Sequence, residues 1–135
     1  MRPAILAAMA VLASQAATAQ VRHSTLPAAL WGKWSQHPGR CSDSDGSVIT
    51  LSAKTYATSK MNCTILWVSA VAGARGPIYS ARMQCSNTAD NADRTILNII
   101  LLPTDSNHIL IGSGFGDLKG YERCSANEPV TPQQG

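Results

Sequence analysis

Charge is the first thing this chain is short of. Only 14% of its 135 residues are charged, the formal net charge is +3, and the lysines and arginines stand singly. A nucleic acid or an anionic membrane surface needs clustered basic residues, so neither is expected as a partner. Glutamate occurs only at 122 and 128, and the aspartates fall in loops, where they act as turn formers. The histidines, His23, His37 and His108, have no metal-ligand spacing. Paired C-x-x-C is absent, which argues against a zinc site and against a redox dithiol. G-x-S-x-G is absent too. From residue 20 onward no stretch reads as a helix, and none is long and apolar enough to cross a bilayer. The chain is therefore expected not to be an enzyme and to carry neither cofactor nor metal.

What is present begins with an export signal. Met1-Arg2-Pro3 is a short positive start, residues 4–13 are apolar without a charge, and Ala17-Thr18-Ala19 is an A-x-A cleavage site before Gln20. That order reads as a cleaved signal peptide over residues 1–19. The apolar run is too short for a membrane span, and no cysteine follows the cleavage point for lipid attachment. The expected location is the periplasm or the extracellular medium. The remainder is one domain.

Export makes the four cysteines, Cys41, Cys63, Cys85 and Cys124, candidates for two disulfides, for which three pairings exist. Residues 62–71 and 77–85 are rich in β-branched and aromatic side chains, and residues 72–76 between them form a turn. A hairpin centred on Ala74 sets Cys63 opposite Cys85, Ile65 opposite Met83, Trp67 opposite Ala81 and Val71 near Pro77. Asn62, Thr64, Leu66, Val68, Ile78, Ser80, Arg82 and Gln84 then take the other face. A one-residue slip would turn Trp67 outward, because side chains alternate with period two. This register predicts Cys63–Cys85 and leaves Cys41–Cys124.

Further strands are expected at residues 30–36, 47–52, 54–59, 94–102, 108–112 and 119–124, with turns or polar loops at 37–46, 87–93 and 103–107. Residues 20–29 read as an N-terminal arm and 125–135 as a disordered tail. Seven or eight short strands with turns roughly every 8 to 12 residues point to an all-β fold. The expected fold is a small antiparallel up-and-down barrel spanning residues 30–124, stapled by disulfides. Such a barrel sets its first and last strands side by side, as Cys41–Cys124 requires. Trp34, Trp67 and Met83 are expected to fill it.

Three features could carry chemistry. Asp43-Ser44-Asp45-Gly46 opens like a calcium loop, but residues 47–54 supply no further carboxylate, so it reads as a turn. Gly112-Ser113-Gly114-Phe115-Gly116-Asp117 has no following helix and is not a dinucleotide fingerprint. It reads as a hairpin loop that could present Phe115 to a partner. Asn62-Cys63-Thr64 fits a glycosylation sequon.

Gly32-Lys33-Trp34 on the first strand resembles the G-x-W opening of lipocalins and related barrels. The resemblance implies that Trp34 closes one barrel end beneath a basic side chain of the last strand, Arg123 or Lys119. The chain is also similar to the small periplasmic metalloprotease inhibitors of bacteria, eight-stranded barrels with G-x-W and a free arm that enters the protease cleft. Gln20, Val21, Arg22 and His23 would belong to that arm. That family has one disulfide where this chain has cysteines for two. Ser113-Gly114 and Lys119 are faintly similar to the Ser-Gly loop and later Lys of periplasmic lysozyme inhibitors, at shorter spacing. The functional expectation is a non-enzymatic exported protein that binds a protein partner, as a hydrolase (protease or lysozyme) inhibitor would. Contacts are expected from Gln20, Val21, Arg22, His23, Ser113, Phe115 and Lys119. A lipocalin-like carrier of a small apolar ligand is the alternative, and a structural envelope protein a third.

Overall fold

The computed structural model describes residues 21–37, 40–42, 47–87 and 90–124. The expected signal peptide at 1–19, Gln20, the turn expected at 43–46 and the tail expected at 125–135 lie outside them. Nine strands appear among the described residues: β1 (Val21–His23), β2 (Gly32–Ser35), β3 (Val48–Leu51), β4 (Thr55–Ala57), β5 (Met61–Gly73), β6 (Gly76–Asn87), β7 (Asp90–Asp105), β8 (His108–Gly112) and β9 (Lys119–Arg123). Strands β2 to β9 pair in chain order, every pair antiparallel, and β9 returns to pair with β2, so eight strands close an up-and-down barrel. β1 is an additional strand on β5.

Alternation builds the interior. Along β3 and β8 every second residue is buried: Ile49 and Leu51, then Ile109 and Ile111. Trp34, Tyr56, Ile65, Met83, Leu101 and Tyr121 complete a core in which none of these is more than 8% exposed. The Cys63–Cys85 disulfide bridges paired residues of β5 and β6 in this core. Cys41–Cys124 joins the segment after β2 to the end of β9. Both bonds are of the kind that persists in an oxidising, extracytoplasmic environment. No helix among the described residues is long and apolar enough to cross a membrane.

The structure corrects the expected hairpin register beyond Ile65. A β-bulge between Ile65 and Trp67 shifts the pairing, so Trp67 faces Arg82 and Val68 faces Ala81. Val68 and Ala81 are buried, while Leu66 is 44% exposed and Trp67 only half-buried. Trp67 does not fill the barrel. The cause lies in strand length. β4 has three residues and β5 thirteen. β4 meets β5 only at residues 62–64, and Ile65 N donates to Lys54 O (2.8 Å) just beyond it. From Val68 to Ala70 the partner of β5 is β1. The bulge sits at this changeover, where one extra residue bends the strand and re-aims its side chains.

That pairing also corrects the free arm. Residues 21–23 cover an edge of β5 that β4 is too short to reach, and unpaired edges of this kind are commonly covered. The loop expected at 87–93 shrinks, because β6 runs to Asn87 and β7 starts at Asp90, whose Cα positions pair. Asn87, Asp93 and Arg94 are exposed there. β7 likewise continues through Pro103, which pairs with Ile109 beside an irregularity that accommodates the missing N–H.

Candidate functional site

The end of the barrel at the start of β2 is closed. Residues 24–31 cross it, with a 3-10 turn at Ala28–Leu30. Leu26 and Leu30 are buried beneath, and Leu26 N donates to Ala53 O in the β3–β4 turn (2.8 Å). Two indoles hold this plug: Trp31 Nε1 donates to Leu26 O and Trp34 Nε1 to Leu30 O, each at 3.0 Å. Over the Trp34 ring lies the Arg123 guanidinium, 4.2 Å from its centroid. Its three nitrogens donate to Ser106 O (3.0 Å), Trp31 O (2.7 Å) and Ala29 O (2.6 Å). Gly32 serves this cluster directly. Its φ is +128°, and a Cβ there would stand 3.1 Å from Arg123 Nη1. G-x-W is thus the local requirement of an arginine laid across a tryptophan. Lys119 is not part of it, since it pairs with Ile111 at the far end of β9.

At the opposite end the connection from β8 to β9 is the glycine-rich segment. Asp117 organises it. Its carboxylate accepts from Gly114 N (2.7 Å), Ser113 N (3.3 Å) and the Ser113 hydroxyl, and Asp117 N donates back to Gly114 O (3.3 Å). The Ser113 hydroxyl and the backbone N–H of Gly114 hold the Asp117 carboxyl below the usual carboxylate range. Gly112 permits the closure, because a Cβ on it would meet Asp117 O at 2.8 Å. No such crowding affects Gly114 or Gly116. The result is a loop tied to itself, from which Phe115 projects with 66% of its surface exposed. Sequence reasoning placed Ser113 and Phe115 but passed over Asp117 as a turn residue. The available signal was its spacing from Ser113, the reach of a carboxylate closing a short turn onto earlier backbone N–H groups.

The expected contact residues do not converge. Val21, Arg22 and His23 lie on β1, alongside the half of β5 beyond the bulge. Arg22 stacks over Trp67, 4.4 Å from the ring centroid. Ser113, Phe115 and Lys119 belong to the β8–β9 connection and its flank. The bulge that removed Trp67 from the core therefore made it the seat for Arg22.

Inside the barrel, Tyr121 OH accepts from Gln36 Nε2 (2.8 Å). Burial pushes the Tyr56 phenol up to about 12, with the neighbouring Tyr121 adding to the shift. Such a group stays neutral at ordinary pH and is poorly suited to proton transfer. Among the described residues no three His, Cys, Asp or Glu side chains are grouped to hold a metal ion. No family model, no curated protein and no solved structure matches this chain.

Proposed function

We propose that this is a non-enzymatic periplasmic or secreted protein that binds a protein partner through the β8–β9 loop, with Phe115 as the anchor, in the manner of a hydrolase inhibitor. The observation that carries the reading is the pairing of Phe115's exposure with the Asp117 clamp beneath it. An aromatic ring on a loop already held in shape loses little freedom when it enters a partner's pocket, and such anchors dominate binding energy. Asp117 is committed to three donors, so it acts as a brace and not as an acid or base. The arm is the weaker candidate, because residues 21–23 are engaged as a strand. The carrier alternative loses weight from the interior, where Trp34, Met83, Leu101 and Ile109 are at most 1% exposed.

The test uses the immobilised protein with fluid from its own extracytoplasmic compartment, beside Phe115→Ala and Phe115→Asp. A partner retained by the native protein should be lost by both variants, and a protease or lysozyme activity in that fluid should be inhibited by the native protein alone. Equal retention by all three proteins would overturn the reading.

A further inference from the structure

A second surface lies on the outside of the barrel, away from the Phe115 loop. Thr55, Ala57, Asn62, Thr64, Gln84, Ser86 and Arg94 edge a shallow groove of about 520 Å³ across β4, β5, β6 and β7. Alternation puts it on the outer face. Cys63, Cys85 and Tyr56 are buried, while their chain neighbours Asn62, Thr64 and Thr55 are exposed. Tyr56, Cys63 and Cys85 also line it from the strands beneath; apart from Ala57 the outward side chains are hydroxyl and amide, with Arg94 the one charged group among them. Among the described residues no carboxylate lines the groove or pairs with Arg94. Two aliphatic side chains border it: Leu66, put outside by the bulge and 44% exposed, and Ile96, which pairs with Gln84 and is 43% exposed.

We infer that this groove binds an acidic peptide segment in extended form. Among the described residues the Arg94 guanidinium meets no carboxylate, and its complement is a carboxylate held through two parallel N–H donors. Asn62, Thr64, Gln84 and Ser86 offer donors and acceptors to the peptide backbone. Leu66 and Ile96 offer contact to an apolar side chain beside the acid. Exposed aliphatic flanks complement a peptide side chain better than they complement a sugar ring. The dimensions agree: four strands about 4.8 Å apart span roughly 14 Å, close to the length of four extended residues.

The probes are acetylated, amidated Leu-Glu-Leu-Glu, its Leu-Gln-Leu-Gln counterpart and an oligogalacturonate of similar length. Each is titrated into the full exported protein with backbone amide shifts as readout. The acidic peptide should move the amides of residues 55–57, 62–64, 84–86 and 94 saturably and leave Phe115 unmoved. Arg94→Gln should weaken it roughly fivefold, the worth of one exposed charge pair. Gln84→Lys, which adds a second cation, should strengthen it. The Gln peptide should bind the native protein as weakly as the acidic peptide binds Arg94→Gln. Equal binding of the two peptides, shifts elsewhere, no shifts, or response to the oligogalacturonate alone would each overturn the inference. Because Phe115 lies at a separate site, Phe115→Ala should leave these titrations unchanged.

Discussion

Replacing Arg123 should unseal the closed end of the barrel. Its guanidinium makes three hydrogen bonds to carbonyls and lies over Trp34. At a solvent-exposed end each bond is worth about 1 kcal/mol net. The ring contact adds about 0.5 to 1 kcal/mol. Arg123→Ala should therefore lose about 3 to 4 kcal/mol, a large share of the roughly 5 to 15 kcal/mol that holds a domain together. Arg123→Lys separates charge from shape, since one ammonium cannot reach three carbonyls from the ring face as a planar fork does. It should recover less than half of the loss. Gly32→Ala completes the set. Positive φ costs a non-glycine residue about 1 to 3 kcal/mol, and displacement of Arg123 adds to this. In the Arg123→Ala background only the backbone part should remain, so the two changes should be sub-additive. The assay is equilibrium urea unfolding with disulfides intact. A loss below about 1 kcal/mol for Arg123→Ala, or full rescue by lysine, would refute the reasoning.

The disulfides should contribute unequally. Removing Cys41–Cys124, separated by 83 residues, should cost about 4 to 5 kcal/mol, and Cys63–Cys85, separated by 22, about 3 kcal/mol of loop entropy plus its buried packing; urea midpoints of the two double-serine variants check the order. Arg22→Gln should cost about 0.5 to 1 kcal/mol and speed amide exchange at residues 21–23, because it removes the ring contact that helps pin β1 to β5; unchanged exchange would count against that role. The Asp105–His108 pair (2.9 Å) should give a pH window. The Asn107 backbone N–H, and after it the His108 ring, lower the Asp105 carboxyl, and the hydrogen bond to Asp105 raises His108. The Asp105 contribution is present above the ordinary carboxylate value and lost as pH falls; that of His108 is present below the ordinary imidazole value and lost as pH rises. The stability difference between native protein and His108→Asn should peak between about pH 4 and 6.5 and vanish on both sides. Stability should also fall from about pH 10 toward 12, as an unfolded Tyr56 ionises before the buried one, with Tyr56→Phe removing the effect.

What the sequence disclosed and what it hid divide along one physical line. Period-two alternation, turn residues and cysteine spacing are local or nearly so, and they sufficed for the barrel, for Cys63 opposite Cys85 and for β2 beside β9. The register failed where it depended on a third strand. Symmetry about Ala74 assumes that β5 and β6 pair without interruption, but β5 exchanges β4 for β1 midway, and the bulge at Leu66 accommodates that exchange. Nothing in residues 62–85 alone carries the length of β4 or the docking of Val21–His23. Leu66 and Trp67 gave the same lesson as side chains. Both are large and apolar, so a hairpin read in isolation places one of them inside. The structure puts both out: Trp67 under Arg22, and Leu66 beside the polar groove. Asp117 was hidden for a different reason, since a loop carboxylate looks alike in sequence whether it faces water or closes onto Gly114 N. The features on which the two proposals rest lie outside the core: Phe115 on a loop braced by Asp117, and the groove bordered by the bulge at Leu66. They are therefore where a substitution should change binding while leaving the barrel standing.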